Sequence, residues 1–220
     1  MSNMRISTIV CILFIEAVKC CAQSFINLDF ETALIRTNGA PQGMVVANSA
    51  IPGWIAYVNG VPSTYIWYSG ASLGAAAVTL EPAFGSFTPV PQVQSNYYVY
   101  LQGSSDTPQH DSAAIGQTGQ IPLSAQSIIF WGNDVLNITF AGQALSFNQT
   151  GSSAYYNIYA ADISAFAGQT GQLLFTAGAG TAGYFDNIQF SSNPVPEPTT
   201  LGLLAMAGGL VGLCNRRRLS

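Results

Sequence analysis

Eight aromatic residues fall in two short stretches of the chain: Trp54, Tyr57, Tyr65, Trp67 and Tyr68, then Tyr97, Tyr98 and Tyr100. The C–H faces of a sugar pack on such rings while nearby Asn and Gln side chains take its hydroxyls, so the chemistry they suit is carbohydrate stacking. Trp54, Tyr57, Trp67 and Tyr68 are the candidates for ligand contact. The competing use of the same rings is a hydrophobic core or sheet surface.

Catalytic chemistry has far less to work with. His110 is the only histidine, which excludes multi-histidine zinc sites and leaves a Ser–His–Asp triad only a Pro-Gln-His-Asp segment to draw on. Asp111, next in an extended chain, points away from His110. Between residues 23 and 193 only Glu31 and Glu81 are glutamates, so a glycosidase would lean on aspartates without a signature. No catalytic residue is assigned, and the protein is expected not to be an enzyme. A polar cleft with two carboxylates roughly 5–10 Å apart would revive a polysaccharide hydrolase.

Charge narrows the partners further. From Gln23 to Asn193, Arg36 stands alone as a cation against Asp29, Glu31, Glu81, Asp106, Asp111, Asp134, Asp162 and Asp186, a net charge of about −7. Phosphate binding needs clustered Lys and Arg, so nucleic acid is excluded as a partner of this region, and an anionic membrane surface repels it. Cys11, Cys20, Cys21 and Cys214 all lie outside it, leaving no thiol or disulfide within.

The elements that would position these residues read as short strands. Tyr-, Phe-, Val- and Ile-rich segments separated by Gly, Pro, Asn and Ser recur without helical periodicity, which implies an all-β, antiparallel sandwich. Expected strands are 25–30, 44–47, 54–58, 64–68, 75–80, 96–102, 113–117, 127–131, 136–140, 144–148, 155–160, 173–176 and 185–190. Leu136 to Phe147 should be a hairpin turning at Gly142, with Leu136, Ile138 and Phe140 on one face. Asn59-Gly60 marks a second turn. Asp162 should cap a short helical turn within 161–169, ahead of Leu173-Leu174-Phe175.

Both ends carry addresses. Arg5, the largely apolar run Ile6–Ile15 and small residues before Ala22 read as a signal peptide over 1–22. At the other end, Leu201–Cys214 is uncharged and, as a helix rising about 1.5 Å per residue, covers roughly 21 Å, a short transmembrane span. Arg216, Arg217 and Arg218 would hold that end in the cytoplasm. Pro196 and Pro198, flanking Glu197, keep the preceding segment extended and open to a processing enzyme. The chain thus divides into a signal peptide (1–22), a β-sandwich (23–193) and a tail (194–220).

This order of Pro-Glu-Pro, short apolar span and terminal arginines resembles the PEP-CTERM sorting signal, also known as the ice-binding protein C-terminal domain. The resemblance covers about 25 of 220 residues. It implies export across the inner membrane of a Gram-negative bacterium that makes extracellular polysaccharide. It also implies a membrane enzyme of the exosortase type acting at Pro196, Glu197 and Pro198, with at least transient anchoring by the C-terminal helix. The alternative name is no argument for ice binding, which would want a regular Thr-rich array.

Asn27-Leu28-Asp29-Phe30-Glu31, Ile51-Pro52-Gly53-Trp54, the 162–169 segment and Phe185-Asp186-Asn187-Ile188 together resemble galactose-binding-like jelly rolls, the architecture of many carbohydrate-binding modules. In that family the first and last strands are neighbours and often hold a structural Ca²⁺. The resemblance therefore implies Asp29 or Glu31 with Asp186 as ligands, completed by backbone carbonyls and Asn187. The leading expectation is an exported envelope or extracellular-matrix protein whose non-catalytic sandwich binds polysaccharide. The alternative is a purely structural surface protein without a specific ligand.

Overall fold

Alternating apolar side chains give each strand one face to bury, and two sheets meet over those faces. The computed structural model describes residues 23–70, 72–83, 96–104, 111–133 and 136–195. The expected signal peptide, His110, the Pro-Glu-Pro motif, the apolar tail helix and the terminal arginines lie outside them. The first strands are β1 (Met44–Val46), β2 (Ile55–Val58), β3 (Val61–Ser63), β4 (Tyr65–Tyr68) and β5 (Ala77–Pro82). They are followed by β6 (Tyr97–Gln102), β7 (Ala113–Gln120), β8 (Ser127–Gly132), β9 (Asn137–Phe140) and β10 (Gln143–Ala144). The chain continues through β11 (Asn148–Ser152), β12 (Asn157–Asp162), β13 (Thr170–Ala177) and β14 (Ala182–Ser191).

The larger sheet runs β1-β4-β5-β6-β14-β8-β12-β11, and the smaller runs β10-β9-β13-β7-β2-β3. Within them, β6-β14-β8-β12 facing β10-β9-β13-β7 is the eight-strand order of a jelly roll, the chain changing sheets at almost every connection. The described residues are therefore an all-β sandwich. One ladder departs from the antiparallel expectation: β4 and β5 are parallel, with Trp67 beside Thr79 and Tyr68 beside Leu80.

Aromatic side chains from both sheets meet in the middle. Phe175 on β13 stacks on Phe185 of β14 at 4.3 Å and 4°. Phe130 of β8 meets Phe175 edge-on at 5.8 Å, and Trp54 meets it at 6.2 Å. The hairpin expected at Gly142 forms: Ala141 (φ 49°) and Gly142 (φ 79°) make a two-residue turn, and Leu136, Ile138 and Phe140 are buried together. Asn59 (φ 50°) and Gly60 (φ 74°) turn β2 into β3 in the same way. At 164–166 a short 3₁₀ turn appears, and the exposed Asp162 accepts the Ser164 N–H at 2.8 Å, which holds its carboxyl below the usual range.

Two expected strands are not strands. Residues 25–30 form a loop, because Asn27 (φ 50°) and Phe30 (φ 56°) take left-handed backbone and break the alternation. The loop is pinned by the Trp54 indole N–H donating to the Asn27 carbonyl at 3.0 Å and by the Ile188 N–H donating to the Leu28 carbonyl at 2.9 Å. Phe30 is thereby driven into the core against Trp54 and Phe185. Residues 144–148 are split between sheets: β10 ends at Ala144, and Asn148 opens β11 opposite Ala160. Leu145 and Phe147 pack on the core as the chain crosses over, so their alternation reflects core contact rather than a sheet ladder.

Candidate functional site

On the outer face of the smaller sheet, register places large residues on either side of very small ones. Tyr57 of β2 stands opposite Ala114 of β7, which stands opposite Thr176 of β13. One row along, Ile55, Gly116 and Leu174 repeat the pattern. Small side chains on the middle strand leave a trough between β2 and β13 of about 300 Å³, lined by Tyr57, Gly60, Ser112, Ala114, Gln172, Leu174 and Thr176. A Cβ at Gly116 would come within 2.9 Å of Gln172 Nε2 and 3.0 Å of Leu174 Cδ1, so those side-chain ends would have to shift into the trough. Gln172 Nε2 donates to the Tyr57 hydroxyl at 3.2 Å across the trough. A ring held by an amide, with Ser112 and Thr176 hydroxyls alongside, can stack an apolar face and take hydroxyl groups, and no carboxylate lines it.

The outer face of the larger sheet is more aromatic and carries two acids. Glu81, Tyr98, Asp186 and Trp131 occupy one row across β5, β6, β14 and β8. Glu81 and Asp186 stand two strands apart, about 10 Å between backbones at ordinary strand spacing. Both are fully buried, so neither faces solvent. Among the described residues neither Glu81 carboxylate oxygen makes a hydrogen bond of full geometry. Burial pushes its carboxyl up to about 7 against a weaker opposing pull from the Gly70 backbone N–H. Tyr68 and Tyr100 are raised by burial first; Tyr97 and then Glu81 add to the shift at Tyr68, and Glu81 adds to it at Tyr100. Beyond this row Tyr98 packs edge-on to Tyr184 at 5.6 Å, and Trp131 stacks on Tyr156 at 4.6 Å and 4°.

The residues singled out from sequence are distributed among these places. Trp54 is buried, its ring between Phe30 and Phe175, so it is a core residue and no stacking platform. Tyr57 is in the trough. Trp67 is half-buried on β4 against Gly43, and Tyr68 packs on the core beside Tyr97.

Among the described residues no three of His, Cys, Asp and Glu form a metal-holding group; the set implied for calcium is smaller, two carboxylates with backbone carbonyls and Asn187. Asp29 and Glu31 sit in turns rather than on one face of a strand. Glu31 Oε1 accepts the backbone N–H groups of Asn96 at 2.8 Å and Tyr97 at 3.0 Å, and Oε2 accepts Asn96 Nδ2 at 2.8 Å. It thereby ties the N-terminal loop to the start of β6. Asp186 Oδ1 accepts the Asn187 N–H at 2.6 Å. Sequence reasoning missed Gln172, Ser112 and Thr176, which are separated from Tyr57 by more than fifty residues; the one signal was the small-residue alternation Ala114, Gly116 on β7.

Comparison with known proteins separates the two parts of the chain. Residues 194–218 match the model described as the PEP-CTERM protein-sorting motif. No curated protein matches the chain. Among solved structures, the enzymatically active domain of tailspike protein 4 of bacteriophage CBA120 is similar with a TM-score of 0.37 and 13% identity. That likeness covers 64% of this chain and 19% of the tailspike chain, so the protein spans less than a fifth of that structure. The β-sandwich ends where the sorting signal begins: residues 194–218 match the PEP-CTERM protein-sorting motif, a signal that indicates export in Gram-negative bacteria with processing at the membrane.

Proposed function

We propose that the protein is a non-catalytic component of the cell envelope or extracellular matrix that binds polysaccharide in the trough between β2 and β13. The observation that carries this reading is the Tyr57 ring held by Gln172 over the Ala114–Gly116 floor. A sandwich of about −7 charge disfavours uronate or sulfate polymers, so the glycan is neutral or cationic. The non-catalytic reading is supported by the two in-row carboxylates, Glu81 and Asp186, being sealed from solvent on the opposite sheet.

Tyr57→Ala should weaken binding of the glycan selected from a panel of soluble neutral and amino-sugar polysaccharides by about tenfold, the loss of one stacking contact. The melting temperature should stay within a few degrees, because Tyr57 is only half-buried. Calorimetric titration of the detergent-solubilised chain measures the first and a thermal melt the second. An undiminished affinity would remove the trough from the function, and no binding to any member of the panel would favour a passive structural role.

Sorting is tested separately. Replacing Arg216, Arg217 and Arg218 by serine should leave the sandwich's melt unchanged while unprocessed chain accumulates, since the positive charge that holds the tail's end in the cytoplasm is gone. Unaltered processing and surface delivery would count against reading these arginines as part of the signal.

A further inference from the structure

We infer that the trough reads the non-reducing end of a glycan chain and not its interior. This rests on the polysaccharide reading of that site and names the part of the polymer it takes. The trough lies along β7, with Tyr57 of β2 as one wall and Leu174 and Thr176 of β13 as the other. A groove built only from those walls would run on along the strands, and a polymer would lie in it lengthwise. Gln172 blocks that path. Its amide crosses from β13 to the Tyr57 hydroxyl at 3.2 Å, and in doing so it passes over Gly116, where a Cβ would lie 2.9 Å from Nε2. Leu174 Cδ1, 3.0 Å from the same point, closes the gap beside it. The bridge is a wall across the trough at the Gly116 row. Ser112 and Ala114 line the floor on one side of it, and Thr118, the next residue on this face of β7, is exposed beyond it.

The other end is open. Gly60, in the turn from β2 to β3, has nothing within 4 Å of where a Cβ would stand, and the Ser112 carbonyl beside that turn accepts the Asn59 N–H at 2.7 Å. Four residues separate Ser112 from Gly116, about 13 Å of extended chain. A volume of about 300 Å³ is at the small end for a ligand site and holds a terminal sugar with part of the next. A sugar inside a chain carries a glycosidic bond on each side and needs an exit for both. A terminal sugar has a hydroxyl in place of one of those bonds, so it alone fits against a wall. The wall has the groups to meet that hydroxyl: the Tyr57 oxygen accepts the Gln172 amide through a lone pair and keeps its own proton to donate, and Gln172 keeps a carbonyl oxygen to accept. Non-reducing ends are what a polysaccharide offers, because each branch adds one while the whole polymer has a single reducing end.

The direction of the trough agrees with this. From its mouth β7 runs to Gln120, and the connection that follows meets the end of β14: the Gln126 N–H donates to the Ser191 carbonyl at 2.8 Å, and Ser127 Oγ donates to the Asn193 carbonyl at 2.7 Å. The wall therefore faces the end at which the chain leaves the sandwich for residues 194–218. The mouth faces away from it, toward an incoming chain end.

The test is calorimetric titration of the full chain in detergent with cellohexaose, maltohexaose, mannohexaose and glucosamine hexasaccharide. Each is run beside its own disaccharide, its form reduced to the alditol, and a hexamer capped at the non-reducing end as the 4,6-O-benzylidene acetal. For a sugar that binds, the disaccharide should come within about threefold of the hexamer, reduction should change nothing, and the cap should weaken binding about tenfold or more by clashing with the wall. Gln172→Ala should take the wall away, so that the cap is tolerated within about threefold and the hexamer, lying on over Gly116 toward Thr118, outbinds the disaccharide about tenfold. Tyr57→Phe keeps the ring and releases Gln172, and should move both ratios the same way. Each ratio is taken within one protein, so a change in its stability does not enter. A hexamer that outbinds its disaccharide tenfold in the unaltered chain and accepts the cap overturns the end-reading and leaves the trough as a lengthwise glycan site. Ratios unmoved by Gln172→Ala overturn the bridge as the wall, whereas binding of no probe overturns the polysaccharide reading of the trough as well.

Discussion

Glu81→Gln should flatten the pH dependence of stability between pH 4.5 and 8. The native carboxyl is fully buried and makes no hydrogen bond of full geometry among the described residues, and burial raises it from the ordinary 4.5 to about 7. Below pH 4.5 the group is protonated in both folded and unfolded chains, and its burial carries no charge penalty. As pH climbs from 4.5 toward 7, the unfolded chain gives up the proton while the fold retains it, so stability falls; above 7 the loss levels off. The linkage amounts to no more than about 3.5 kcal/mol, at about 1.4 kcal/mol per pKa unit. Gln has the shape of the protonated acid and does not titrate. Its buried amide costs about 1–3 kcal/mol, but equally at every pH, so the profile is displaced and loses its slope. Urea denaturation of both proteins at pH 5 and pH 8 reads the difference, and parallel profiles would show that Glu81 does not keep its proton in the fold.

A second large effect is expected at the centre of the sandwich. Phe175→Ala removes a fully buried ring that stacks on Phe185 and meets Phe130 and Trp54 edge-on. Both sheets contribute to that packing, so neither can collapse into the void without moving a strand. The expected loss is about 3–5 kcal/mol, a large part of the 5–15 kcal/mol typical of a domain. Leu174 and Thr176, its neighbours along β13, line the trough, so glycan binding should weaken as well. Phe175→Leu refills most of the volume and should recover more than half of the loss. A fall in the urea midpoint equivalent to less than about 1 kcal/mol in the alanine variant would show that the sheets are held elsewhere.

Local chemistry accounts for what was readable in the strands. Period-two alternation survives wherever one face is buried and the other wet, as in β9, and Asn-Gly and Ala-Gly turns need positive φ whatever the fold around them. Residues 25–30 misled because their alternation holds a loop, with Phe30 turned inward by a left-handed backbone that no periodicity records. Leu145 and Phe147 misled because a chain crossing between sheets also buries alternate residues.

The sequence alone carried the sorting motif of this protein, its all-β class and its acidity. Each is a matter of composition or of residues adjacent in the chain, and the PEP-CTERM motif is contiguous over residues 194–218. Only the tertiary structure decided that Trp54 belongs to the core, that Glu31 ties a loop to β6, and that Tyr57 meets Gln172. It also placed Glu81 and Asp186 in one row with Tyr98 between them. These are consequences of strand order and register: jelly-roll pairing joins strands remote in sequence, and a shift of one residue would turn Tyr57 or Gln172 to the opposite face.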